Sequence, residues 1–152
     1  MINERERIRR IMISINKIDE LYESILRKAG VKGNTVWVLY ALDDGKPHSQ
    51  KQIYEEWLIP KTTLNTIVKE LENEGYVRME IISGQRREMN IYLTESGKKY
   101  ARQVLDSFYR AEEEAFGQLK NAGILSDELE NFCKRLTDSF NKLNFERERY
   151  RL

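Results

Sequence analysis

The stretch from Pro60 to Gly75, P-K-T-T-L-N-T-I-V-K-E-L-E-N-E-G, constrains this chain more than any other. It reads as one short helix with a start and a stop. Pro60 suits a first helical position, where its missing N–H would be unpaired anyway. Gly75 suits the residue just past the end, where a left-handed backbone costs glycine nothing. Leu64, Ile67, Val68 and Leu71 share one stripe, the face to be buried. At about 100° per residue, the opposite face carries Thr62, Thr66, Lys69 and Asn73, with Asn65 beside it. Glu70, Glu72 and Glu74 all fall on the flanks. A carboxylate-free face of short hydrogen-bonding side chains and one lysine fits against base edges and phosphates in a major groove. The same face would also serve as the solvent side of an ordinary amphipathic helix.

The elements before it fit a helix-turn-helix. Residues 4–29 predict a long helix in which Ile8, Ile11, Ile15, Ile18, Tyr22 and Ile25 form a heptad-like seam, suited to packing on another helix of this chain or of a second copy. A second helix, capped by Asn34 or Thr35, runs through Val36–Leu42 and is apolar almost all round, as a central core helix would be. D-D-G-K-P is a turn. Ser49 opens a third helix with Gln52 as its capping-box partner, and Ile53, Tyr54, Trp57 and Leu58 are its expected buried side. Ile59-Pro60 then gives the tight link to the focal helix that a helix-turn-helix needs.

After Gly75 the period changes from helical to alternating. Y-V-R-M-E-I-I and M-N-I-Y-L read as strands joined by the polar S-G-Q-R-R-E, a hairpin with Arg86 and Arg87 at or near its tip. Thr94 caps a helix from about 95 to 121, N-A-G-I-L breaks it, and Ser126 caps a last helix with the stripe Leu129, Phe132, Leu136, Phe140 and Leu143. The expected fold is mainly α with a small β wing. Residues 33–97 form a winged helix-turn-helix, flanked by a helical dimerisation region built from 1–32 and 98–152.

Composition excludes several classes. No apolar run approaches the roughly 20 residues needed to span a bilayer, and the N-terminus lacks the apolar core of a signal peptide. One cysteine, Cys133, cannot form an internal disulfide, and a reducing cytoplasm is the expected home. One histidine and one cysteine cannot build a metal cluster, and no cofactor is expected. No Ser-His-Asp set or glycine-rich phosphate loop is present, so an enzyme is not expected. The net charge of +1 is balanced, so any DNA binding must come from local charge arrangement.

At this point the chain resembles the MarR (multiple antibiotic resistance regulator) family. The residues that carry the likeness are I-P-K-T-T-L-N-T-I-V-K-E-L-E-N-E-G-Y-V and the wing R-R-E-M-N-I-Y-L-T-E-S-G, in which Leu93, Thr94 and Gly97 fill the family's ending. By spacing back from Leu93-Thr94, the family's wing arginine is Arg87. Gln85 stands where the family usually has an aspartate to hold it, which leaves Arg86 to share or take the role. The resemblance implies a homodimer interlocked through helices near both termini, with each winged domain reading half of a pseudo-palindromic operator. It also implies a repressor whose affinity falls when a small molecule binds between the dimer helices and the winged domain.

The expected groove-facing set is Thr62, Thr63, Asn65, Thr66 and Lys69, with Lys61 meeting phosphate. Asn65 has the chemistry for a bidentate contact to adenine, and the threonines for thymine methyls. Ser49, Gln50 and Lys51 begin a helix whose exposed N–H groups suit phosphate, with plain capping as the alternative. Arg86 and Arg87 suit a narrow minor groove, with a solvated turn paired to Glu88 as the alternative. Tyr22, Trp37 and Tyr40 suit the wall of a pocket for a planar aromatic effector, or core packing. His48 reads as a surface loop residue. Cys133 reads as a packed thiol, with a redox switch as the sharper alternative. A competing function is a winged-helix module for protein–protein contacts without DNA binding, favoured by the balanced charge. A second family of winged-helix regulators, with a C-terminal dimerisation helix alone, is the runner-up among DNA binders.

Overall fold

The structure is a computed structural model and describes residues 3–82, 84 and 89–143. The described elements, in order, are α1 (Glu4–Ala29), α2 (Gly33–Leu42), β1 (His48–Ser49), α3 (Gln50–Trp57), α4 (Lys61–Asn73), β2 (Val77–Ile81), β3 (Met89–Leu93), α5 (Glu95–Gly117) and α6 (Ala122–Lys142). The chain divides into two compact units, Met1–Asp106 and Ser107–Leu152.

In the first unit α2 is the centre of the core, as its all-round apolar sequence requires. Val36, Val38, Leu39, Ala41 and Leu42 are buried, together with Leu26, Ile53, Leu64, Ile67, Val68, Leu71, Val77, Ile91 and Leu105. The four-residue stripe of the focal helix is therefore its core face. Neither Asn34 nor Thr35 caps α2. The helix starts two to three residues earlier, after Lys32, with no side-chain cap. Burial of the apolar run supplies the stability that a cap would otherwise add.

The capping box of α3 forms as its spacing predicts. The Ser49 hydroxyl accepts from the Gln52 N–H at 3.1 Å, and the Ser49 N–H donates to Gln52 Oε1 at 2.8 Å. Leu58 departs from expectation. It takes a left-handed backbone (φ 53°) and is 83 % exposed. A chain that must reverse between two short helices needs one left-handed residue, and that geometry swings the side chain out. Ile59 occupies the buried place instead.

Pro60 lies just before α4 rather than inside it, and its carbonyl accepts the Leu64 N–H at 2.9 Å. Gly75, at φ 75°, closes the helix in a Schellman motif: Tyr76 N–H reaches Leu71 O at 2.8 Å and Gly75 N–H reaches Glu72 O at 2.9 Å. This turn throws the chain directly into β2. The sheet has three antiparallel strands in the order β1-β3-β2, with Met79 opposite Ile91 and Ile81 opposite Met89. The two-residue strand β1 was not legible in advance, being too short for any period to show. His48 is therefore a strand residue. It pairs with Ile91 and hydrogen-bonds Asp44 Oδ1 through Nε2 at 2.8 Å.

Thr94 caps α5 as expected, accepting the Gly97 N–H at 3.0 Å, and it also donates to Gly75 O at 2.6 Å. In the second unit the helix break falls at 118–121, earlier than N-A-G-I-L suggests. Ser126 lies inside α6, donating to Gly123 O, rather than capping it. Gly123 is tolerated because it sits in the first turn, outside the helix interior where glycine is costly. The apolar residues of α6, among them Ile124, Leu129, Leu136 and Phe140, remain exposed in the single chain. Cys133 is exposed too, against the packed-thiol expectation. It lies beside a stripe that one chain leaves uncovered.

Candidate nucleic-acid interface

The outer face of α4 is set by what its inner face buries. With Leu64, Ile67, Val68 and Leu71 in the core, Lys61, Thr62, Asn65, Thr66, Lys69 and Asn73 are exposed, and Thr63 is half-buried on the flank. The Thr66 hydroxyl donates to Thr62 O at 3.1 Å, which spends its proton inside the helix and presents lone pairs and a methyl outward. Lys61 Nζ sits 4.4 Å from the centre of the Tyr54 ring, so a cation–π contact fixes it over α3. Glu70, on one flank, is drawn toward Lys32 at 3.7 Å. Both groups are exposed, so the pair adds little stability, but it lies on the flank and leaves the polar face free of carboxylate.

A groove of about 340 Å³ runs between the N-terminus of α3, α4 and the wing, lined by Ser49, Gln50, Lys51, Lys61 and Asn65 over Tyr54, Leu64, Met79 and Met89. Five of the expected site residues thus share one concavity, while Thr62, Thr66 and Lys69 lie on the exposed face of the same α4. The Ser49 hydroxyl accepts the Gln52 N–H in the capping box and the residue is buried, so Ser49 contributes a wall of the groove. Gln50 and Lys51 begin the first turn of α3, where backbone N–H groups face outward. Arg86 and Arg87, with Gln85 and Glu88, lie outside the described residues.

Sequence reasoning missed Tyr54, Met79 and Met89 as parts of this surface. The strand alternation held the signal: Met79, Ile81, Met89 and Ile91 all lie on one face, and that face passes from core at Ile91 to solvent at Ile81 and Met89.

Tyr22, Trp37 and Tyr40 do come together, and Trp57 joins them. The Tyr22 and Trp37 centroids are 5.1 Å apart, Trp37 and Trp57 stack at 6.0 Å, and Tyr40 lies 5.4 Å from Trp57. All four rings are half-buried. The cluster links α1 and α2 to the last residue of α3, immediately before the turn into α4.

Near the wing, burial alone would raise the Asp44 carboxyl. Hydrogen bonds from His48 and from the Lys46 N–H outweigh it and hold Asp44 below its ordinary range.

Residues 29–88 match the sequence profile of the MarR family. Over these residues the chain is similar to the MarR family. MarR-family proteins are DNA-binding transcriptional regulators. The architecture agrees. A MarR family regulator from Neisseria meningitidis, NMB1585, superposes with a TM-score of 0.76 at 24% identity, covering 91% of this chain and 99% of its own. A MarR family transcriptional regulator from Listeria monocytogenes, solved with 26mer DNA, gives 0.66 at 16% identity and covers 92% and 96%. NadR, solved with 4-hydroxyphenylacetate, gives 0.63 at 21% identity and covers 82% and 89%. At these identities the likeness is one of fold. No curated protein matches the sequence. No helix among the described residues is long and apolar enough to cross a membrane.

Proposed function

We propose that this chain is a cytoplasmic, homodimeric, sequence-specific DNA-binding transcription regulator, a repressor released by a small aromatic effector. The observation that carries the reading is the exposed, carboxylate-free outer face of α4, set beside a groove that holds Lys51 at the start of α3 and Lys61 at the start of α4. Thr62, Thr63, Asn65, Thr66 and Lys69 read the major groove. Lys61 and the first turn of α3 hold phosphate, and Arg86 and Arg87 of the wing enter the minor groove. The Listeria relative with DNA in its crystal supports this reading.

Residues 33–97 serve as the DNA-binding domain, and 1–32 and 98–152 as the dimerisation region. Support comes from Ile8, Ile11, Ile18 and Ile25 of α1 and from Ile124, Leu129 and Phe140 of α6, all exposed in one chain. Two such copies would place their recognition helices ~34 Å apart on a pseudo-palindromic operator. The cluster of Tyr22, Trp37, Tyr40 and Trp57 takes the effector, a planar phenolic acid of the kind bound by NadR.

A second reading, a protein-interaction module, draws on the exposed Leu58, Ile81 and Met89 around the same surface. Binding to a fluorescent random duplex as a function of salt, with mass recorded on the same sample, separates the two. Each phosphate contact adds a slope of about −0.9 in log affinity against log salt. The expected result is a dimer with a slope of several units, reduced by about one in Arg87→Ala. A dimer with no binding at low salt would favour the interaction module, and unchanged operator affinity in Arg87→Ala would count against the wing assignment.

A further inference from the structure

The wing has a second concavity. Successive residues of a strand point to opposite faces. Met79 and Met89 therefore face the α4 groove, while Arg78 and its cross-strand partner Tyr92 belong to the other face. On that side a groove of about 380 Å³ is lined by Lys46, Arg78, Lys98 and Arg102, with Asp43 as its one acid and Leu42, Tyr92 and Leu93 as its apolar part.

We propose that this groove binds a small polyanion bearing phosphate or carboxylate groups. Its four cations come from three separate places: the turn after α2, strand β2 and the first turns of α5. The lining holds four basic residues and one acid, and two of the four, Arg78 and Lys98, have carboxylate partners in Glu80 and Glu95 outside the lining. Lys98 and Arg102 stand four apart on α5, an arrangement of like charges that opposes the helix unless an anion compensates it. Arg78 is already oriented, lying 4.6 Å from the Tyr92 ring centre and paired with Glu80, and Lys98 is paired with Glu95 at 2.7 Å. Lys46 and Arg102 are exposed and form no salt bridge among the described residues, and their charges reach Asp44 and Glu95 only at longer range, so both can turn to a ligand. A guanidinium fork at Arg102 and a second at Arg78 suit a bidentate oxyanion. The volume fits a small molecule rather than a duplex. The position, on the sheet face away from α4, separates the groove from the surface proposed for DNA.

The test is calorimetric titration of the full chain with inorganic pyrophosphate at constant ionic strength. The expected result is saturable binding of one pyrophosphate per chain. It should weaken about tenfold in Arg102→Gln and in Lys46→Gln, which is the effect of losing one charge-assisted contact. It should tighten in Asp43→Asn and stay unchanged in Lys17→Gln, on the exposed face of α1. Lys46 and Arg102 are exposed, so unchanged melting temperatures would confirm that the variants fold. Absence of saturable binding, or equal affinity in Arg102→Gln and the parent, would overturn the proposal. So would a loss of about one unit of DNA salt slope in Arg102→Gln without pyrophosphate binding, which would assign the groove to a DNA phosphate. The proposal is independent of the DNA reading, since a chain that fails on DNA but binds pyrophosphate here would retain it.

Discussion

Gly97 is the residue at which one added methyl should cost most. It is the third residue of α5 and is buried against the turn between α4 and β2. A Cβ built there would overlap the Tyr76 carbonyl oxygen outright and lie 2.7 Å from the carbonyl carbon. Neither side can yield freely. Tyr76 donates its N–H to Leu71 O and accepts the Thr94 N–H at 2.9 Å, and its ring stacks on Tyr100 with centroids 4.2 Å apart. Thr94 and Ser96 both donate to Gly75 O, and Gly97 N–H is held by Thr94. Forcing the methyl in costs ~1–3 kcal/mol of strain and breaks one or two hydrogen bonds worth ~1 kcal/mol each. Against this, alanine gains ~1 kcal/mol of helix propensity over glycine. The net expectation for Gly97→Ala is a loss of ~1–4 kcal/mol, or a fall in melting temperature of ~2–16 °C for a chain of this size. The control is Gly117→Ala, where an added methyl meets nothing within 4 Å. Its effect should stay within ~1 kcal/mol. Thermal unfolding at matched protein concentration decides the matter. If Gly97→Ala melted within ~2 °C of the parent, the close approach of α5 to the turn would be wrong.

Two further outcomes are expected. Leu58→Gly should stabilise by ~0.5–1 kcal/mol in denaturant titration, because the left-handed backbone is costly for leucine and the side chain buries little; a loss of stability would mean that Leu58 makes contacts its exposure hides. Asp44 is held below its unfolded value, so its contribution is present above pH ~4 and is lost as pH falls through the lower folded value. The melting-temperature gap between parent and Asp44→Asn should therefore be present at pH 7 and shrink in stronger acid, and a gap equal at both would refute the Asp44–His48 assignment.

The sequence by itself determined the order and type of every described element except β1, because these depend on period and punctuation. The stripe through Leu64 and Leu71, the alternation through Met89 and Leu93, the Ser49–Gln52 box and Gly75 are local signals, and local backbone physics reads them directly. The outward face of α4 was legible for the same reason: once one face of a helix is buried, the other is fixed by geometry.

What only the tertiary structure decided are the relations between residues distant in sequence. Strand β1 exists only because β3 pairs with it. Trp57 joins Tyr22, Trp37 and Tyr40 only because three helices converge. Lys46, Arg78 and Arg102 meet only because the wing brings three segments together. Leu58 is exposed because the reversal between α3 and α4 demands a left-handed residue, which outweighs the burial that its hydrophobicity would favour. Gly97 was visible as a letter in a pattern, and its reason is a carbonyl contributed by the turn 21 residues earlier in the chain. A period describes one segment at a time, whereas close approach between segments is a property of packing.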